Sequence, residues 1–413
     1  MENTSDLPDP ASIPVAEIDV SDPRLLEQDA WRPFFARLRR EEPVHYLANS
    51  NFGPFWSVTR FDDIVAVDSD PEAFSSEPII FIGDQTEDTK LQSFINMDPP
   101  KHDVQRRAVQ PVVAPQNLAV MEGLIRQRVA DILDELPIGE TFNWVERVSI
   151  NLTTQMLATL FDFPFEQRRK LTYWSDIAVG TPEIAGGNVT HEERLAGLQE
   201  CLAFFTRLWH ERKGVEGGFD LISLLQRDPQ TADLVDRPME YLGNLTLLIV
   251  GGNDTTRNSA SGGVVALNQN PGEYDKLRAN PALIPSMVSE IIRWQTPLAH
   301  MRRTATRDIE FRGKQIRKGD KVVMWYLSGN YDETAIEHAE RFIIDRENPR
   351  KHVSFGFGVH RCMGNRLAEM QLRILWEEIM QRFHQVEVVG QPERVLSNFV
   401  RGYKTLPVRL HPL

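Results

Sequence analysis

The chain has 413 residues, 41% of them apolar and 25% charged, with a formal net charge of −13 and two cysteines. That acidic balance argues against nucleic acid as a partner, and two cysteines in unlike contexts argue against a disulfide framework. No apolar run reaches the roughly 18–20 residues that span a bilayer, and the first thirty residues are acidic and lack a signal-peptide core, so the sequence predicts a cytoplasmic chain with no membrane insertion.

Residues 1–30 read as an N-terminal arm, Pro-rich over residues 6–14. No Gly/Ser linker, repeat or low-complexity segment follows, so residues 1–413 are expected to form one domain. Residues 44–47 and 55–59, split by Gly53-Pro54, read as a hairpin. Helical periodicity is predicted over 116–136, 148–161, 192–211, 239–269, 283–294 and 365–383. Cys201 falls on one of these helix faces. Residues 180–190, with Gly180, Pro182, Gly186 and Gly187, read as a mobile entrance loop. A further strand over 321–326 follows Arg317-Lys318-Gly319-Asp320. The balance is mainly α with a small β region.

Four segments carry chemistry. After Pro99-Pro100, His102 and Arg106 lie four apart on one helical face. The helix 239–269 contains Gly251-Gly252, which costs about 1 kcal/mol per glycine relative to alanine. Such a cost fits a flat ligand approaching the backbone and an opened hydrogen-bond ladder that admits water. Asp254 and Thr255 follow, a pair able to relay protons. Glu290 and Arg293, three apart, share a helix face and can pair. Finally, Phe355-Gly356-Phe357-Gly358-Val359-His360-Arg361-Cys362-Met363-Gly364 places a cysteine just before a helix. The dipole and free amides there favour a thiolate and lower the thiol pKa.

This last run is similar to the haem-binding loop of the cytochrome P-450 superfamily, soluble haem-thiolate monooxygenases in bacteria. The resemblance covers roughly residues 30–405. It implies a single triangular-prism, mainly helical domain with haem b (iron protoporphyrin IX) between two long helices. It implies Cys362 as the axial iron ligand, a thiolate that favours O–O cleavage. Phe355 and Gly356 would frame the haem, and His102, Arg106, Arg303 and His360 would meet its propionates, with Arg302 the alternative to Arg303. Gly251 to Thr256 resembles the oxygen-activation motif. By that match Thr255 holds the activated oxygen and its water, and Asp254 gates proton delivery. Glu290 and Arg293 would brace the cysteine loop, with Arg341 or Arg346 as third member.

Residues 248–259, 294–305 and 397–403 resemble the bacterial alkane and fatty-acid terminal hydroxylases of this superfamily. The resemblance implies oxygen insertion from O2 at the end of a medium-length chain. A terminal methyl has the strongest C–H bonds of an alkane, so selectivity must come from a narrow apolar channel. Candidate walls are Leu248, Gly252, Leu298, Met301 and Phe399, with residues 79–94 as lid. No basic residue among them awaits a carboxylate, so alkanes are expected to bind at least as well as acids. The alternatives are a hydroxylase of terpenoid or steroid rings and a haem-thiolate ligand sensor without turnover. Little chain follows the cysteine helix, so the expected electron source is a separate ferredoxin supplied by a ferredoxin reductase. Arg346, Arg350, Lys351, Arg361 and Arg366, against Glu347, form a basic stretch suited to docking it.

Overall fold

The computed structural model describes residues 7–84, 91–215, 217–218 and 220–413. Its longest element is the helix Pro238–Gln269, 32 residues, or about 48 Å. Proline suits the first turn, where its missing N–H has no intrahelical partner to lose. Helices Ile150–Phe161, Arg169–Val179, Ile284–Gln295 and Asn365–Arg382 all pack against it. Small residues permit that crowding. A Cβ on Gly262 would lie 2.2 Å from Gln295 Oε1, and one on Gly263 would lie 2.8 Å from Ile291 Cδ1. The helix runs unbroken through Gly251 and Gly252, so the opened ladder expected there is not present.

The predicted hairpin forms, with Val44 opposite Val58. Strands β1 (Val44–Leu47), β2 (Phe55–Val58), β3 (Phe74–Ser75), β4 (Met301–Ala305) and β5 (Lys321–Met324) make one sheet in the order β1-β2-β5-β4-β3. The β2–β5 pair is parallel and its neighbours are antiparallel. The predicted strand 321–326 stops at Met324, because Tyr326–Gly329 turns into a helix. Several elements lie outside those predicted, among them the helix Arg169–Val179 and a sheet in which Pro407–Pro412 pairs with Phe142–Asn143 and Phe383–Val388.

Residues 180–190 are not an open loop. They hold a helical turn, Pro182–Ala185, with Ile184 and Ala185 buried. Gly83 packs so tightly beneath it that a Cβ would fall 1.6 Å from the Glu183 carbonyl oxygen. The Asn398 N–H donates to the Ala185 carbonyl at 2.8 Å. The apolar side chains of this turn join Ile80, Val179, Phe399 and Val400 in one small cluster. Of the expected lid, residues 85–90 lie outside the described residues. Among the described residues no helix is long and apolar enough to cross a membrane.

Glu290 and Arg293 are fully buried and paired at 2.7 Å. Arg346 Nε donates to Glu290 Oε2 at 2.9 Å, which makes Arg346 the third member. Arg341 supplies only its carbonyl, which accepts from Arg293 and Arg346. Arg293 also donates to the carbonyls of Asn330 and Ala339, tying the helix to the segment ahead of the cysteine loop. Removing one partner of such a buried network leaves an uncompensated charge, at about 3–5 kcal/mol. Glu290→Gln is therefore expected to lower the unfolding free energy, read from urea titration, by an amount in that range. Arg341→Ala, whose side chain is exposed, should stay within about 0.5 kcal/mol of the parent protein.

Candidate active site

The cysteine loop is shaped by local backbone geometry. Gly356 and Gly358 adopt φ of +65° and +63°, a region that side chains rarely enter. The Cys362 N–H donates to the Phe355 carbonyl at 2.8 Å. Cys362 is accessible and lines the main cavity; the accessible surface is the cavity's, since protein surrounds the side chain. Burial is the largest influence on the thiol and raises its pKa, while the amides of Gly364 and Asn365 and the charges of Arg106 and Arg361 oppose it. The expectation of a net lowered thiol pKa is thus corrected. The amides act as expected, but desolvation outweighs them, and a metal cation at the sulfur would tip the balance to thiolate.

One carboxylate knits this loop to the rest of the site. Asp68, at the end of the helix Phe61–Asp68, is 2% exposed. Its Oδ1 meets Arg303 Nη2 at 2.7 Å. Its Oδ2 accepts from the Tyr326 hydroxyl at 2.8 Å and from the Phe357 N–H at 2.7 Å. The glycine at 356 is needed here too, because a Cβ would come 3.0 Å from the same oxygen. Sequence reading missed Asp68. Its signal was a charged residue in the apolar register of a short helix, beside Ile64 and Val67.

The expected propionate partners gather at one edge of the cavity. Strand alternation sends Met301 and Arg303 of β4 toward the cavity, while Arg302 pairs with Asp84 at 2.6 Å. This separates the two arginines left open by the sequence. His102 and His360 meet ring to ring at 4.3 Å. His102 Nδ1 lies 2.7 Å from Asp103 Oδ1, whereas His102 Nε2 and both His360 nitrogens are buried without a partner. Burial, then the nearby charges of Arg303, His102 and Arg106, push the His360 pKa down to about 2. Arg106 donates to the Arg361 carbonyl. Orphaned imidazole nitrogens and two arginines at one edge, with a cavity-facing thiol, fit the two carboxylates and iron of a haem. Phe355 and Gly356 line the same cavity.

The long helix presents two faces. Thr255 lines the cavity, its hydroxyl donating to the Gly251 carbonyl at 3.0 Å. Asp254, 1% exposed, turns away from it. Asp254 accepts from Arg257 at 2.6 Å, from Ser175 at 3.1 Å and from Asn253 at 3.1 Å. Arg257 also reaches Asp176 at 2.9 Å, and Asp176 is 52% exposed. Burial pushes the Asp254 pKa up to about 6, against the Arg257 charge. Gly251 has open space where a Cβ would stand, while one on Gly252 would lie 2.7 Å from Leu157 Cδ2. Gly251 is therefore the glycine that leaves the cavity open above the loop.

Leu248, Gly252, Leu298, Met301 and Phe399 all line the cavity, joined by Ile80 and Phe81 from the expected lid segment and by Val179, Leu247 and Arg194, which sequence reading missed. Arg194 was visible as a charge on an apolar stripe with Leu198, Cys201 and Phe205. Among the described residues no three His, Cys, Asp or Glu side chains form a cluster able to hold a metal ion. Of the basic stretch, Arg350, Lys351, Arg361 and Arg366 are exposed, but Arg346 is drawn inward to Glu290.

Residues 237–406 match the family described as Cytochrome P450. The chain is 37% identical over 95% of its length, and 99% of the relative's, to linalool 8-monooxygenase of Pseudomonas putida. It is 32% identical to a methyl-branched lipid omega-hydroxylase of Mycobacterium tuberculosis, covering 97% of this chain and 96% of that one. Among solved structures, CYP153D17 from Sphingomonas sp. PAMC 26605 superposes with a TM-score of 0.89 at 47% identity, over 95% of this chain and 98% of that one. If Cys362 is the iron ligand, the reduced, carbon monoxide-bound protein should show the red-shifted Soret band of thiolate ligation, and Cys362→His should abolish it. A histidine-type band in the parent protein would overturn the assignment.

Proposed function

The chain belongs to the cytochrome P450 family, whose cofactor is haem b, and we propose that this monooxygenase hydroxylates the terminal carbon of a linear chain of roughly eight to twelve carbons. One observation carries the reading: the cavity above Cys362 is walled mostly by apolar side chains, with Thr255 among the few hydroxyl groups that its long helix contributes. Such a pocket binds through burial, about 0.8 kcal/mol per methylene. Fold similarity to CYP153D17 and sequence similarity to an omega-hydroxylase support it. A second reading, a branched terpenoid substrate, is favoured by the 37% identity to a linalool 8-monooxygenase.

In this reading Cys362 would hold the iron of a haem, and His102, Arg106, Arg303 and His360 would meet its propionates; when bound, that group would supply the activation of O2, one atom of which goes into the C–H bond while the other leaves as water, with two electrons from the ferredoxin and two protons. Asp68 orients Arg303 and the amide of Phe357. Thr255 positions a water and a proton at its hydroxyl. Asp254, with a pKa near the working range, holds the next proton. Arg257 and the half-exposed Asp176 connect it to solvent. Leu298 and Phe399 confine the substrate so that one chain end alone faces the reacting centre. The exposed Arg350, Lys351, Arg361 and Arg366 dock an acidic ferredoxin, which a reductase supplies.

Two experiments test these assignments. Thr255→Ala should bind haem and substrate nearly as before yet release peroxide in place of most alcohol, because the lost hydroxyl acts after substrate binding. Undiminished coupling of reductant to product would place the relay elsewhere. Product analysis with linear chains should give the terminal alcohol, and Leu298→Ala or Phe399→Ala should move oxidation inward. Internal products from the parent protein, or a preference for steroids over every linear chain, would defeat the substrate reading while leaving the haem chemistry intact.

A further inference from the structure

Arg194 is 2% exposed and lines the cavity. It sits in the first turn of the helix His191–Glu211. Three local influences there disfavour a cation. The position belongs to the helix's apolar stripe, in register with the buried Leu198, Cys201 and Phe205. The positive end of the helix dipole is beside it. Burial pulls its pKa down to about 10, with the charge of Glu183 opposing it.

Its satisfied bonds are few. Nε donates to the Ala178 carbonyl at 3.3 Å, and this is its one hydrogen bond among the described residues. No carboxylate among them lies within ion-pair distance. Glu193, the near acid on its own helix, is spent on the amide and hydroxyl of Thr190, at 2.9 and 2.8 Å. A guanidinium carries five N–H donors, so most of this one's capacity is unused. Capping the helix Arg169–Val179 through Ala178 would explain one bond, but a neutral side chain would do that without burying a charge.

The cavity's charge pattern gives the burial a purpose. Its lining holds three arginines and no carboxylate among the described residues. Arg106 and Arg303 belong to the edge beside Cys362 and His360. Arg194 stands on a different wall. Its helix packs on Arg169–Val179, whose Ala178 and Val179 line the cavity with it.

We propose that Arg194 is the anchor for the carboxylate of a long-chain acid, so that acids are preferred over alkanes of the same length. The geometry is a cation in an otherwise apolar roof: the carboxylate takes the free guanidinium N–H groups, and the alkyl chain runs along Val179, Leu247 and Leu298. The proposal rests on the terminal-hydroxylation reading only for which end of the acid is oxidised; the head-group contact stands apart from it. It replaces the expectation that no basic residue awaits a carboxylate.

The test is a binding comparison on the haem-loaded protein, read by spin-state titration and by calorimetry, with dodecanoic acid, methyl dodecanoate and n-dodecane. The parent protein should bind the acid more tightly than the ester. Arg194→Met should raise the Kd of the acid by about tenfold or more, the loss of a charge-assisted contact. The ester and alkane should stay within about twofold, and Arg194→Lys should recover part of the acid affinity. Equal weakening of acid and ester would mark Arg194 as a structural cap and overturn the anchor. So would a parent protein that binds the acid no more tightly than the ester, a result that needs no variant to fold. Product regiochemistry separates the two readings. Acid-selective binding with internal hydroxylation leaves the anchor and removes the terminal assignment. Terminal hydroxylation with no acid preference does the reverse.

Discussion

The site depends on the buried carboxylate of Asp68. It holds three parts of the chain that are far apart in sequence: Arg303 on β4, the Tyr326 hydroxyl just after β5, and the Phe357 amide in the cysteine loop. Each contact is 2.7–2.8 Å, and the carboxylate is shielded from water, so the interactions are stronger than at a surface. The loop that carries Cys362 and the arginine at the cavity edge therefore share one anchor. A shift in either is felt by the other. On the far side of the loop, Glu290, Arg293 and Arg346 fix the segment that leads into it.

Asp68 and Asp254 show how environment divides the work of two buried acids. Asp68 is surrounded by donors and an arginine, all within hydrogen-bond reach. Asp254 also has an arginine, yet burial and the neighbouring Asp176 charge raise its pKa to about 6. Its partner Arg257 bridges to the half-exposed Asp176, so a polar path runs from solvent along the back of the long helix. Thr255, one residue on, projects from the other face into the cavity. A helix turn of about 100° per residue is what sends Asp254 and Thr255 into different surroundings.

The chamber itself follows from what the central helix omits. Four helices crowd it wherever small residues allow, but at Gly251 no side chain fills the space. Phe81 and Phe399, whose rings meet at 4.7 Å, form part of its wall, and the docked turn Pro182–Ala185 packs behind Phe399. Into this apolar roof the fold places one arginine. Its burial is costly unless an anion joins it, which makes the roof a place where substrate chemistry can be selected.

The sequence by itself determined what short spacing encodes. Cys362 with its flanking glycines, Asp254-Thr255 behind a glycine pair, and Glu290 with Arg293 one turn apart are local patterns, and the structure puts each on the loop or helix expected. The hairpin at 44–58 and the long helix were legible for the same reason, since strand and helix periods are written within a few residues. Only the tertiary structure decided the rest. Arg346 over Arg341 beside Glu290, Arg303 over Arg302 at the cavity, the docked rather than open 180–190 turn, and the burial of Asp68 and Arg194 depend on residues tens to hundreds of positions away. The thiol shows the same divide: helix start and amides were readable, but the burial that outweighs them is created by the packing of the whole chain around the cavity. Local sequence states which groups are present and how they alternate. Desolvation and long-range pairing arise only when the chain closes on itself, and those two effects set which charge meets which partner.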